Sequence, residues 1–171
     1  VDEWQKAIGE DLPRDGALSG ADLLPPAPGS LYARMTSDDV QLNAPVYFGD
    51  TDEIFGKGAG QYILSGLPGE GEPILLGGHD VSWFASLEDI APGDEITLTT
   101  SYGVFVYQVS QTFVAKADEV TWDGLSATSG ERLVLYTCYP IGSLLGVRED
   151  RLFVLCDKAS GPRIIKTGGS L

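Results

Sequence analysis

From Leu31 onward, apolar residues recur in short runs of about four to eight, broken by glycine, proline and aspartate. Candidate strands fall at 31–35, 45–48, 61–65, 73–77, 95–100, 103–115, 132–138 and 151–156. They are rich in Val, Ile, Leu, Tyr, Phe and Thr, and most are separated by turn signals: Pro68-Gly69, Gly71, Pro92-Gly93-Asp94 and Tyr102-Gly103. Two stretches read as helical instead. Thr51 to Phe55 follows a capping candidate in Asp50 or Thr51, and Ser82 to Ile90 sets Trp83, Phe84, Leu87 and Ile90 near helical spacing. About eight short strands with few helices predict an all-β domain, a sandwich or a closed barrel.

The first thirty residues follow no such rhythm. Pro13, Pro25, Pro26 and Pro28, with Gly16, Gly20 and Gly29, mark an arm or linker over 1–30, with a short helical turn at 2–8 carrying Trp4 and Ile8. The domain proper is expected over 31–158. The remainder, 159–171, reads as a tail with a small strand at 163–165.

A length of 171 residues suits one domain with a core of its own. With 25 acidic against 11 basic residues the formal net charge is −14, which argues against nucleic-acid or anionic-lipid partners. No apolar run is long enough to span a bilayer. The chain opens at Val1 and shows no signal peptide, which is compatible with a processed or shortened chain whose anchor or export signal could have been removed.

Candidate chemistry starts from the scarcest residues. The single histidine, His79, follows the apolar run Ile74-Leu75-Leu76 and two glycines, at a strand end. Cys138 closes the run Arg132 to Thr137, and Tyr139-Pro140 then stops regular pairing. Arg151 opens the next run. If the two runs pair antiparallel, Arg151 faces Cys138 across the mouth of the loop, where a guanidinium can stabilise a developing oxyanion; Arg148, inside the loop, is the alternative. Cys156, the other cysteine, is five residues beyond Arg151, roughly 17 Å along a strand. That is too far for a disulfide with Cys138, so Cys156 is expected to fill core. Taken singly, each residue has an ordinary structural explanation: a surface histidine, a strand-end thiol, an edge arginine. Asp50, Asp52 and Glu53 read as a solvated helix start, and no metal or cofactor is expected.

Together these segments resemble the sortase family. Leu135-Tyr136-Thr137-Cys138, a loop, and Arg151 before Leu152-Phe153-Val154 resemble its Thr-Cys and arginine signature. Gly78-His79 resembles its histidine segment. Ala44 to Gly49 running into Thr51 to Phe55, Pro92 to Ile96, and Tyr107-Gln108-Val109 are similar to its earlier strands and turns. The likeness spans about residues 29–158 and is closest to class D, with class C as the other branch. The resemblance implies an eight-stranded closed barrel and a transpeptidase that uses no cofactor. It implies cleavage of a Leu-Pro-x-Thr-Gly-like sorting signal through a thioester on Cys138. His79 would be the acid/base, Arg151 the oxyanion partner, and a cell-wall precursor or pilin lysine the amine acceptor. The site would lie on the extracellular face of the membrane. Thr137, Tyr139, Ile141, Leu144 and Trp83 are the expected peptide contacts, with Leu145, Val147 and Phe84 beside them; core filling is the equal alternative for the loop residues and for the Trp83–Phe84 segment. Hydrolysis of the same thioester and a non-catalytic binding barrel are the competing readings.

Overall fold

The computed structural model describes residues 12–20, 23, 25–80, 83–127, 130–141 and 149–165. Ten strands occur among them: β1 (Ala17–Ser19), β2 (Leu31–Ser37), β3 (Leu42–Phe48), β4 (Ala59–Gln61), β5 (Ile74–Gly77), β6 (Glu95–Thr100), β7 (Val104–Lys116), β8 (Arg132–Tyr139), β9 (Asp150–Ser160) and β10 (Arg163–Ile165). Two one-turn helices, α1 (Asp52–Phe55) and α2 (Trp122–Leu125), and 3-10 turns at Ala85–Asp89 and Ala117–Glu119 complete the elements. Eight strands close into a barrel in the order β2-β3-β4-β5-β8-β9-β7-β6. Closure leaves the barrel itself without a free sheet edge to template aggregation. Neighbours are antiparallel except β3–β4 and β5–β8. A parallel pair needs a crossover connection; the first of these two carries α1, and the second includes Val120 and Leu125, which pack on the barrel exterior.

Period-two alternation sorts each strand between the interior and the outside. Leu133 and Leu135 of β8, Leu152, Val154 and Cys156 of β9, and Ile74 and Leu76 of β5 join the main core. Val134 of β8 and Phe153 and Leu155 of β9 form a second apolar cluster on the other face, packed by Leu75, Phe113, Ala115, Val120, Leu125 and Tyr136. Val120 and Leu125 belong to the connection after β7, so that connection covers part of the exterior of β8 and β9.

The strand expected at 61–65 forms instead at Ala59–Gln61, and Tyr62 to Ser65 turn away. Gly58-Ala59-Gly60 looks too small for a strand, but packing demands it. A Cβ on Gly60 would lie 2.4 Å from the Gly49 carbonyl oxygen and 2.9 Å from the Phe55 ring. Gly60 is the seat on which α1 rests.

At the far end of β8 the carboxylate of Glu131, 3% exposed, gathers several elements. It accepts from the backbone N–H of Gly69 and of Gly71, each at 3.0 Å, and from the Tyr107 hydroxyl. Lys158 Nζ lies 3.9 Å away. Around this clasp the arm and the tail meet: β1 pairs in parallel with β10, and the amide of Val104 donates to the Pro13 carbonyl. β9 runs on to Ser160, two residues past the expected end of the domain at 158. The helical turn expected at 2–8 lies outside the described residues.

Candidate active site

β8 and β9 pair in the register that sets Cys138 directly opposite Arg151. β9 in turn sets Arg151 opposite Ala115 of β7. On the other side β5 runs parallel to β8 with Gly77 opposite Tyr136, and His79 follows Gly77 by two residues as Cys138 follows Tyr136. That extension is held by hydrogen bonds. The Gly78 amide donates to the Tyr136 carbonyl at 3.3 Å, and the Thr137 hydroxyl donates to the Gly78 carbonyl at 2.7 Å. The His79 carbonyl then accepts from the Phe84 amide at 3.0 Å, turning the chain away. An outward-facing row results: Ala115, Arg151, Cys138, His79.

One row nearer the barrel's middle, about 7 Å along the strands, lie Phe113, Phe153, Tyr136, Gly77 and Gly60. Phe113 stacks on Phe153 at 5.1 Å between centroids, and Tyr136 tilts against Phe153 at 6.3 Å. The tyrosine leans over its other neighbour: a Cβ on Gly77 would lie 2.5 Å from Tyr136 Cζ and 2.7 Å from its hydroxyl. Burial pushes the phenol up to about 12; the nearby charges of Asp50 and Cys138 push the same way and Arg151 opposes them. Tyr136 is therefore a proton-bearing donor at physiological pH, on an aromatic floor beside the thiol.

Of the three residues expected to act, His79 is exposed, while Cys138 and Arg151 are half-buried. Arg151 Nη1 donates to the Asp150 carbonyl at 2.9 Å. Both cysteines are free. Cys156 is fully buried, and burial pushes its thiol up to about 12, with Asp157 adding to the effect and Arg132 opposing it. A thiol held neutral in this way is a poor nucleophile.

The expected peptide contacts divide. Thr137 is 1% exposed, faces the interior, and its hydroxyl is engaged by Gly78, so it holds β5 to β8 at the height of the row. Tyr139 and Ile141 are half-buried and pack on the main core, as Trp83 does. Trp83 also lines an open depression of about 750 Å³ beside Ser37 to Asn43, at the tip of the β2–β3 hairpin. Leu144, Leu145, Val147 and the alternative arginine, Arg148, lie outside the described residues. The Tyr139-Pro140 bond is cis. The outer-face residues that adjoin the thiol, Tyr136 and Phe153, were not among the expected contacts. Alternation carried the signal, since Tyr136 shares parity with Cys138 and Phe153 with Arg151.

A thiol, an imidazole and a guanidinium on one rim of a closed barrel make up the equipment of a cysteine acyl-transfer enzyme. Residues 35–159 match the sortase domain as a family. The chain belongs to the sortase family of cysteine transpeptidases. It is 29% identical over 136 residues to sortase D of Bacillus subtilis strain 168, covering 80% of this chain and 68% of that protein. Among solved structures, sortase C of Clostridium perfringens SM101 is 26% identical with a TM-score of 0.67, over 80% of this chain and 76% of that one. The sortase D5 transpeptidase of Clostridium perfringens shares the fold at 19% identity, with a TM-score of 0.65 over 78% of this chain and 82% of that one. Sortases act at the cell surface on sorting signals and amine acceptors. Among the described residues no helix is long and apolar enough to cross a membrane.

Proposed function

We propose that this sortase cleaves a Leu-Pro-x-Thr-Gly-like sorting signal between Thr and Gly and passes the acyl group to an amine of a cell-wall precursor or a pilin lysine. The observation that supports the reading is the register: Cys138 pairs directly with Arg151, and β5, from whose end His79 follows, runs parallel to β8 on the other side.

In the first half-reaction the Cys138 thiolate attacks the threonine carbonyl carbon. The carbonyl oxygen takes up negative charge, and Arg151 donates hydrogen bonds to it. The C–N bond breaks, His79 gives its proton to the departing glycine nitrogen, and a thioester remains on Sγ. In the second half the acceptor amine attacks the thioester and passes a proton to His79. The thiolate leaves and an amide is restored. No oxidant, metal or nucleotide is needed for the balance. The aromatic floor of Tyr136 and Phe153, partly roofed by the 117–127 connection, offers an apolar bed for the acyl side of the peptide beside the thiol.

Mass spectrometry tests the reading. Incubation with a sorting-signal peptide gives an acyl adduct on Cys138 in the wild type and none in Cys138→Ala. Arg151→Lys slows adduct formation by about 10²–10³ if the arginine acts on the oxyanion. Added amine captures the adduct as an amide; release only as free acid identifies a hydrolase instead. Absence of adduct across a panel of sorting peptides, with the protein folded, refutes the catalytic reading.

A further inference from the structure

His79 must present a ring nitrogen to the leaving amine, yet the imidazole is exposed and sits just past a strand end. Among the described residues it makes no hydrogen bond and no ion pair. Its one ring contact is with Phe55, at 5.8 Å between centroids and 65° between planes. An exposed histidine with two free torsions samples several rotamers. The usual remedy in thiol and hydroxyl acyl-transfer sites is a carboxylate or amide hydrogen-bonded to the far nitrogen. Among the described residues the contact that the ring makes is instead the aromatic edge contact with Phe55.

Phe55 is itself well fixed. It closes α1, whose first turn is capped by the Thr51 hydroxyl accepting from the Ile54 amide at 3.3 Å. The Phe55 amide donates to the Thr51 carbonyl at 3.0 Å. Ile54 is 5% exposed and plugs the helix onto the barrel. Two glycines make the seat. A Cβ on Gly49 would lie 2.8 Å from Ile54 Cδ1, and one on Gly60 would strike both Ile54 and Phe55. The ring is thus anchored to the sheet through β4, the neighbour of β5, from whose end His79 projects.

We infer that Phe55 is a positioning residue for His79, restricting the imidazole to the rotamer that serves Cys138. The inference rests on the acid/base role of His79 proposed above. It extends the machinery of the reaction to α1.

Because His79 is the single histidine, its Cε1–H and Cδ2–H signals can be assigned in a proton–carbon NMR spectrum without ambiguity. Phe55→Leu keeps apolar volume and removes the ring; Phe55→Tyr keeps the ring. We expect the leucine variant to shift the His79 signals by loss of the ring current. It should also lower kcat about 2- to 12-fold, the factor an aromatic pair contributes, with KM within twofold. The tyrosine variant should restore both. Unmoved His79 signals in Phe55→Leu overturn the inference, as does an unchanged kcat or a loss confined to KM. A wild type that is acylated by no sorting peptide while its signals still respond to Phe55→Leu overturns the catalytic reading of His79, and the positioning role with it. An active wild type with an unaffected leucine variant overturns the positioning role alone.

Discussion

Gly77→Ala tests whether Tyr136 truly lies across β5. Gly77 has no positive φ, so alanine suits its backbone and the only obstacle is space. The new methyl would sit 2.5 Å from Tyr136 Cζ, 2.7 Å from the hydroxyl oxygen and 2.8 Å from Cε1. Ordinary carbon contacts are about 3.5–4.0 Å, so the ring must retreat by about an ångström. Retreat toward β9 is blocked by Phe153, which is itself stacked on Phe113. Off-rotamer adjustment and disturbed packing of this kind cost about 1–3 kcal/mol. For a domain of this size that lowers Tm by roughly 3–9 °C. Tyr136→Ala removes the obstructing ring, so in that background Gly77→Ala should cost within about 0.5 kcal/mol of nothing. The assay is a double-mutant cycle by urea or thermal unfolding, with a coupling energy of about 1–3 kcal/mol expected between the sites. Equal costs of Gly77→Ala in both backgrounds would refute the placement of the tyrosine, and with it the aromatic floor beside Cys138.

Other outcomes follow from the same geometry. Glu131→Ala leaves the Gly69 and Gly71 amides, the Tyr107 hydroxyl and Lys158 without their shared acceptor. It should cost about 3–5 kcal/mol in urea unfolding, while activity per folded molecule holds, because Glu131 precedes Cys138 by seven residues, roughly 24 Å of strand. Iodoacetamide at pH 8 should label Cys138 and spare Cys156 in the native protein, as peptide mapping would reveal; equal labelling contradicts the burial of Cys156. Stability should fall as pH rises from about 9 to 12. Burial lifts the Cys156 thiol from 9.0 and the Tyr136 phenol from 10.0 to about 12, and holds Tyr32, Tyr102 and Tyr107 above their ordinary value. The folded state therefore keeps protons that the unfolded chain gives up in that window. Phenolate absorbance of these tyrosines should accordingly appear with unfolding, and an earlier rise at constant fold would count against it.

Much of the architecture was legible along the chain because strands buried on one or both faces write themselves in β-branched and aromatic runs bounded by turns. The runs at 95–100, 103–115, 132–138 and 151–156 appear as β6, β7, β8 and β9 with ends shifted by no more than four residues. The proposed catalytic set was legible for a related reason. Cys138 and Arg151 flank one loop, so a single antiparallel pairing brings them together, and His79 is the chain's single histidine. Local signals faded where long-range packing chose the residue. The glycines of β4 look unlike a strand until α1 is laid on Gly60, and Gly77 looks like a loosened strand end until Tyr136 is laid over it.

Which face of β8 carries the chemistry was decided only in three dimensions. Leu133, Leu135 and Thr137 alternate with Val134, Tyr136 and Cys138, and both sets are largely apolar, so periodicity alone cannot say which one faces the barrel interior. Closure of the sheet put the first set inside. It thereby turned Thr137 inward, where its hydroxyl donates to the Gly78 carbonyl, and left Cys138 on the face shared with Val134 and Tyr136. The sequence by itself determined the strand menu, the scarcity of histidine and cysteine, and the adjacency of Cys138 and Arg151. The parallel β5–β8 pairing that brings up His79, and the crossover that sets Phe55 against it, required the fold. Both are contacts between segments far apart in the chain, and no local propensity encodes them.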